Sequence, residues 1–331
     1  MVDFPFFSRR WVKATILKLR ASARIAGLAA SALLAGSLAH AQGPGEAERG
    51  SGDGAGGTIT VTGQRDRNQA VRTFVAKVTE PAGDQIARLS SDLCIATFGL
   101  PRAHGSVVAR RIEAVARRAG VHAAGPGCRT NVVIAFAEDG EEFLKSLRRG
   151  RRSFFLGLEL PEVRRLLAGA GPVWAWQTVS LRGSDGRPIE KLSYLNMGGS
   201  IMFLGKDSHL LQGTNLTSRF QKETQQALAV SFLVFDVDAL EGLTLTQIAD
   251  YAAMRVLART RPDSVPGSST ILNLFVPHPA RAAPAELTSW DAAYLKALYA
   301  TSHSLAARRQ QSEMARVIRN ELDRPDQGEA Q

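Results

Sequence analysis

The feature that most constrains the fold is VSFLVFDV, an almost wholly apolar run at residues 230–237. Its β-branched and aromatic side chains favour a strand. A strand with so few polar residues belongs at the centre of a sheet, where other elements cover both of its faces. The rest of the chain must therefore supply those covering elements.

Several other segments have the periodicity of helices and strands. Residues 106–120 predict an amphipathic helix that buries Val108, Ile112 and Val115 and ends at Gly120. Further elements are predicted as a strand at 131–136, short helices at 141–149 and 161–167, and longer helices at 245–258 and 287–299. Together they predict an α+β fold, a single domain at residues 58–325 with a mixed sheet and packed helices, followed by a disordered tail at 326–331.

Two strand-like regions leave alternatives open. Residues 173–181 and 188–195 flank a Gly-Ser-Asp-Gly cluster and predict a β-hairpin. Trp174 and Trp176 would share one face of it, where an aromatic pair can pack in the core or stack on a ligand. The run TITVT at 58–62 predicts an edge strand, although it also resembles the TonB-box segment of outer-membrane receptors, for whose barrel the chain has no room.

The N-terminus is organised as a cleavable secretion signal over residues 1–41. A basic segment precedes an apolar run at 25–38, and Ala39-His40-Ala41 forms the cleavage site. The run is too short for a membrane anchor, which needs roughly 20 residues. We therefore expect an exported protein that begins at Gln42 and lies in the periplasm, at the envelope or outside the cell. Residues 42–57, rich in glycine, are predicted as a disordered linker.

Export changes the meaning of the charge and the cysteines. The chain has 41 basic and 31 acidic residues, of which the signal holds six basic and one acidic. Residues 42–331 therefore have 35 basic and 30 acidic residues, a net charge of +5. Such a charge requires no nucleic-acid partner. In an oxidising compartment Cys94 and Cys128 are expected to form a disulfide that stabilises the fold by about 3–4 kcal/mol. Metal binding is the alternative, but further ligands at suitable spacing are lacking.

Catalytic motifs of known type are absent from the sequence, and its six histidines include no pair at i, i+4. Asp236 and Asp238 follow the apolar strand two residues apart, which would place both carboxylates on one face as in a metal site, or would let them cap the loop. We predict no catalytic residue, no metal and no cofactor. Asp236, Asp238, Asp250 and Tyr251 are the candidates if a hydrolase site exists.

A longer pattern extends over residues 243–299. A helix at 245–258 is followed by the turn sequence STILN at 269–273 and by a last helix that begins with LTSWD at 287–291. This order resembles the C-terminal half of zincin-type metallopeptidases of the metzincin group, which have an active-site helix, a methionine-containing turn and a final helix. The resemblance implies a zincin-like fold.

The resemblance does not extend to the reactive groups. Asp250 stands where the family has its first zinc-binding histidine, Tyr251 at the general-base glutamate and Met254 at the second histidine. Thr260 and Leu272 replace the third ligand and the turn methionine. Zinc hydrolysis needs imidazoles one helical turn apart and a carboxylate that takes a proton from bound water. The resemblance therefore implies a pseudoenzyme whose groove can still bind an extended peptide by strand addition.

The predicted function is that of a non-catalytic envelope protein that binds a peptide, polymer or protein partner. The partner would contact the groove or the basic run Arg148-Arg149-Gly150-Arg151-Arg152. That run can meet an anionic envelope polymer or a membrane surface, or can be the solvated end of a helix. A hydrolase with an unrecognised site near residues 236–254 is the alternative.

The signal generates a direct prediction. Protein purified from the periplasm should begin at Gln42, because the small residues at positions 39 and 41 fit the processing site. Intact-mass measurement of the purified chain checks this. A mass equal to that of the full chain from Met1 would contradict it.

Overall fold

The computed structural model describes residues 56–155, 157–169, 171–187, 194–197, 200–203, 222, 224–261, 270–276 and 283–324. Their α-helices are α1 Gly56–Val78, α2 Arg102–Arg118, α3 Gly140–Gly150, α4 Leu160–Ala168, α5 Leu245–Leu257, α6 Ser289–Ala300 and α7 Ala307–Leu322. Their strands are β1 Arg88–Leu89, β2 Ile95–Phe98, β3 Val132–Ala137, β4 Val173–Gly183, β5 Tyr194–Met197, β6 Ser200–Phe203 and β7 Thr224–Asp236. Short 3-10 turns lie at Arg152–Phe155, Asp238–Leu240 and Ile271–Asn273.

Strand β7 is the centre of a five-stranded sheet. Along one edge it pairs in parallel with β1 and β3, and β2 continues the sheet in parallel beyond β3. Along its other edge it pairs antiparallel with β4 over residues 224–235. The fold is therefore a single α+β domain with a mixed, mostly parallel sheet, as predicted. The apolar run at 230–237 forms the C-terminal half of the central strand.

Helices cover both faces of the sheet because the side chains of β7 alternate between two cores. Leu233 and Phe235 point into the larger core, which α1, α2, α5, α6 and α7 complete. Phe232 and Val234 point into a smaller core that holds side chains of α3, α4 and the turn at 152–155. Both cores border the candidate site, the larger through Tyr251 and Leu272 and the smaller through Trp174 and Trp176.

Cys94 and Cys128 form the predicted disulfide, with their Cα atoms 6.0 Å apart. Cys94 directly precedes β2 and Cys128 lies four residues before β3, so the bond joins the starts of two adjacent parallel strands. Asn131 supports the same corner, because its Oδ1 accepts the Cys94 backbone N–H at 2.8 Å and its amide donates to the Asp92 carbonyl at 2.8 Å. The bond therefore links the start of β3 to the segment that precedes helix α2.

The local helix signals are also confirmed. Helix α2 begins at Arg102, four residues earlier than predicted, and buries Val108, Ile112 and Val115. Gly120 follows its end with φ of 91°, a left-handed conformation that glycine adopts without strain. Helix α5 starts with a capping box, in which Thr244 and Gln247 satisfy each other's backbone N–H groups.

The prediction of an edge strand at residues 58–62 is wrong, because these residues belong to α1. Helix α1 begins at Gly56, so the last two residues of the predicted linker are helical as well. The C-terminal part of α1 has a buried face, whose side chains recur at helical spacing: Val71, Phe74, Val75 and Val78. Adding a residue to an existing helix gains one hydrogen bond per residue fixed, and this can outweigh a local strand preference. The signal, the linker up to residue 55 and the tail at 326–331 lie outside the described residues.

The predicted hairpin is only partly described. The turn is present, since Gly183 donates its N–H to the Arg187 carbonyl at 2.9 Å and Gly186 has φ of 82°. Residues 188–193 lie outside the described part of the chain. The described partner of β4 is β7, and β5 pairs instead with β6.

A charge on the buried face of α5 tests this architecture. Ala252 has no exposed surface, so Ala252→Asp must desolvate a carboxylate without a partner and should destabilise the protein by several kcal/mol. Ala292 in α6 is the matched control: it is exposed, and Ala292→Asp should change the free energy of unfolding by no more than about 0.5 kcal/mol. Thermal unfolding of both variants measures the contrast. Equal melting temperatures would show that the packing of α5 is wrongly assigned.

Candidate functional site

A cleft of about 510 Å³ borders the outer edge of strand β4. Helix α4 and the residues that flank it line one side. Helix α5, the segment that follows it and the turn at 272–276 line the other. The cleft therefore lies where a ligand can contact the sheet edge and both covering layers together.

The register of β4 decides which backbone groups face the cleft. Val173 lies opposite Phe235, and the Asp236 N–H donates to the Pro172 carbonyl at 2.8 Å. In an antiparallel ladder this pattern turns the N–H and C=O groups of Val173, Ala175 and Gln177 away from β7. Within the described ranges none of these outward groups has a hydrogen-bond partner, and β4 has no second partner strand. The edge thus offers backbone donors and acceptors at every second residue.

Helix α5 and the turn at 272–276 form a largely apolar wall that also contains Arg255. The Tyr251 and Phe275 rings meet edge to face with 4.9 Å between their centroids, and Leu272 lies in the same wall. Gln177 reaches across from β4 and donates its side-chain N–H to the Arg255 carbonyl at 2.7 Å. This bond holds the edge strand to the C-terminal part of α5 and so maintains the width of the cleft.

Trp176 is packed on the α4 side of the sheet and is 5% exposed. It stacks with Phe155 at 5.4 Å and 3°, and with Phe232 at 4.9 Å and 12°. Its indole N–H donates to the Phe154 carbonyl at 3.0 Å. Its ring is occupied by the protein's own aromatic side chains, as the core-packing alternative expects.

Trp174 is equally buried, and the position of its ring requires a glycine in the neighbouring helix. Its indole N–H donates to the Gly169 carbonyl at 2.8 Å. Its ring lies against Gly140 at the start of α3, where a Cβ atom would come within 2.1 Å of the ring. Because no side chain fits there, Gly140 allows the helix to approach the sheet closely. Trp174 and Trp176 both line the cleft, although both are packed in the smaller core.

A network of two ion pairs lies at one end of the cleft. Arg259, two residues beyond α5, bonds Glu80 at 3.2 Å and Glu162 of α4 at 2.6 Å. Burial raises the pKa of Glu162, but the Glu159 backbone N–H and the Arg259 guanidinium outweigh it and lower the pKa overall. Burial lowers the pKa of Arg259, but the two carboxylates raise it overall. Glu162 and Arg259 are therefore charged at neutral pH and hold α4 in place.

Asp236 and Asp238 are used to build the loop after β7. Asp236 accepts the Gly140 N–H at 3.2 Å through Oδ2 and the Asp238 N–H at 3.1 Å through Oδ1. This geometry matches the loop-capping alternative. The described residues hold no group of three histidine, cysteine, aspartate or glutamate side chains able to bind a metal ion.

Asp250 does not line the cleft. Its carboxylate is completely buried and accepts two bonds from the Arg111 guanidinium, at 2.7 and 2.8 Å, and one from the Leu287 N–H at 2.7 Å. The bond to Asp250 raises the pKa of Arg111. The ion pair joins α2, α5 and the segment before α6. Tyr251 borders the cleft instead, so the structure does not bring these two candidates together.

The basic run ends α3 and begins the next turn. Arg149 pairs with Glu142 at 2.6 Å, and Arg148 lies over the Phe155 ring at 5.8 Å. Arg151 and Arg152 are exposed. The run therefore forms the surface next to α4 and does not line the cleft itself.

The residues that the sequence interpretation missed are Gln177, Arg165, Arg259, Glu162 and Phe275. Each of them lines the cleft because of a residue that is distant in the sequence. Glu162 and Arg259, for example, bond to each other across 97 positions. Only the capping box at the start of α4, formed by Glu159 and Glu162, leaves a local sequence signal.

Comparison with protein-family models, with curated proteins and with solved structures finds no match in any of the three. A search of the described helices for one long and apolar enough to cross a bilayer also finds none. The site is therefore interpreted from its own geometry.

The Arg111–Asp250 pair gives a prediction about stability. Arg111→Leu should lower the free energy of unfolding by about 3 kcal/mol or more, because it leaves a buried carboxylate without its cation. Glu286→Gln is the control, since this exposed residue contacts the same guanidinium at 3.2 Å and should contribute less than about 1 kcal/mol.

Chemical denaturation measures both variants, together with the double variant Arg111→Leu/Asp250→Leu. The decrease in the free energy of unfolding should be smaller in the double variant than the sum of the decreases in the two single variants. Strict additivity would contradict the assigned coupling.

Proposed function

We propose that this chain is an exported, non-catalytic protein that binds an extended peptide by adding it as a strand to the outer edge of β4. The observation that carries the proposal is the set of outward backbone groups at Val173, Ala175 and Gln177, which face a cleft of about 510 Å³. Proteins that recognise peptides by strand addition use an edge of this kind.

The dimensions suit a short ligand segment. Residues 173–177 extend over about 14 Å at roughly 3.4 Å per residue, which accommodates about five ligand residues. A net contribution of about 1 kcal/mol for each main-chain hydrogen bond gives modest affinity. Apolar ligand side chains can add to it by contacting Tyr251 and Phe275 on one wall and Leu158 and Leu166 on the other.

The alternative, a hydrolase, has less support from the same geometry. A general base or nucleophile must be able to reach the bound substrate. Asp250 is held by Arg111 away from the cleft, and Asp236 accepts bonds from Gly140 and Asp238. The Tyr251 hydroxyl accepts a bond from Arg255 Nε at 3.0 Å. These engagements favour binding over catalysis.

The zincin-like comparison and export belong to the proposal. Helix α5, the turn Ile271–Asn273 and helix α6 follow one another in the order that the comparison requires. Asp291 connects the last two, because it accepts bonds from Thr270 Oγ1 and the Ile271 N–H while it caps α6. The Cys94–Cys128 disulfide is compatible with an oxidising, extracytoplasmic location.

Fluorescein-labelled decapeptides test strand addition directly. We suggest three probes that alternate valine with serine, glutamate or lysine, each also made with N-methyl groups on one or the other alternate set of amides. Only one set of amides in an added strand faces β4. One methylated set should therefore abolish binding in fluorescence anisotropy, and the other should leave it nearly unchanged.

Two protein variants provide the matched control. Ala175→Pro removes an outward N–H without removing a bond to β7 and should weaken binding by about tenfold. Ala175→Gly keeps that N–H and should bind nearly as the unaltered protein does. Mass spectrometry should recover the peptides intact, and elemental analysis should find no stoichiometric zinc. Equal effects of both methylated sets, or zinc-dependent cleavage of the probes, would refute the proposal.

A further inference from the structure

The cleft has two chemically different walls, and an added strand would meet both. Ligand side chains alternate between the two faces of a sheet. One set would face Tyr251, Leu272 and Phe275, an apolar surface beside the buried Arg255, whose guanidinium donates to the Tyr251 hydroxyl, to Thr260 and to the Arg261 carbonyl. The other set would face α4, where Arg165 stands beside Leu166. The two sets of ligand side chains therefore meet different chemistry.

Two acids, Glu80 and Glu162, and three arginines, Arg165, Arg255 and Arg259, line the cleft, so its charged side chains sum to +1. Glu80 and Glu162 both bond to Arg259. Arg165 is exposed, lines the cleft and has no ion pair within the described part of the chain. It also lies close enough to Glu162 to contribute to lowering the pKa of that carboxyl. The cleft therefore carries one excess positive charge, and Arg165 is the exposed one of its three arginines.

The surface beyond α4 has the same imbalance. Over residues 138–165 five of the six acids are engaged in a cap or an ion pair: Asp139 caps α3, Glu141 pairs with Lys145, Glu142 pairs with Arg149, Glu159 caps α4 and Glu162 pairs with Arg259. Arg151, Arg152 and Arg164 are exposed and have no ion pair with any described residue. Engaged acids and unengaged arginines make this side complementary to a negatively charged partner.

We infer that the segment bound at the edge of β4 is acidic, with a carboxylate on the side that faces α4 contacting Arg165 and apolar side chains on the side that faces Tyr251 and Phe275. This inference rests on the proposed strand addition and specifies its ligand class. A guanidinium suits the role because it can donate two parallel hydrogen bonds to one carboxylate.

The three alternating decapeptides separate charge recognition from strand addition. The valine–glutamate probe should bind at least tenfold more tightly than the valine–serine probe, and the valine–lysine probe should bind most weakly. Raising the salt concentration from about 50 to 500 mM should reduce the preference, because exposed charges are screened. Anisotropy titrations of all three probes measure the ranking.

Charge reversal locates the contact. Arg165→Glu should reduce the preference for the glutamate probe over the lysine probe by at least tenfold. Arg316→Glu is the matched control: it makes the same charge change at an exposed position of α7, outside the cleft, and should preserve the ranking. Circular dichroism and thermal unfolding verify that both variants fold.

The possible results distinguish the two proposals. If only one set of N-methyl groups abolishes binding but the glutamate and serine probes bind with equal affinity, strand addition stands. The inference that the ligand is acidic is then overturned. A ranking that Arg165→Glu leaves unchanged would also overturn it. Failure of all three probes to bind would refute both proposals.

Discussion

The hydrogen-bond ladder between β4 and β7 is the interaction on which the rest of the structure depends. It places the most apolar strand inside the sheet and, by the same register, sends Trp174 and Trp176 to the smaller core. A slip of one residue would exchange the two faces of β4 and would also turn the outward groups of Ala175 inward. Fold and candidate site therefore share one constraint. The alternation is interrupted after Thr178, where the register with β7 shifts.

Features that arise within a few residues could be predicted from the sequence. The capping box of Thr244 and Gln247 and the left-handed Gly120 depend on local hydrogen bonds and on local backbone freedom. The central strand at 230–237 could be recognised because burial on both faces requires an apolar run. The disulfide followed from the presence of two cysteines and the expected compartment. These elements define the α+β class without defining how they pack.

Features that depend on distant partners could not be predicted in the same way. The expected partner of β4 was the next strand-like run, yet its described partner is β7, and the sequence between β4 and β7 contains no local signal for that choice. Asp250, a candidate catalytic residue in the sequence, bonds to Arg111 across 139 positions. The residues next to Asp250 in the sequence give no sign of this buried ion pair. The TITVT run has a real strand preference that its membership of a long helix overrides. The cleft combines such distant contacts, so only its aromatic residues on β4 and Tyr251 were expected.

The contact between Gly140 and Trp174 also defines how related sequences can vary. A Cβ atom at position 140 would lie 2.1 Å from the indole ring, so any relative that keeps the tryptophan must also keep the glycine. A relative with a smaller residue at position 174 is free to carry alanine at 140. The two positions should therefore covary across a separation of 34 residues. That coupled pair offers a marker for recognising distant members of this fold where overall similarity has been lost.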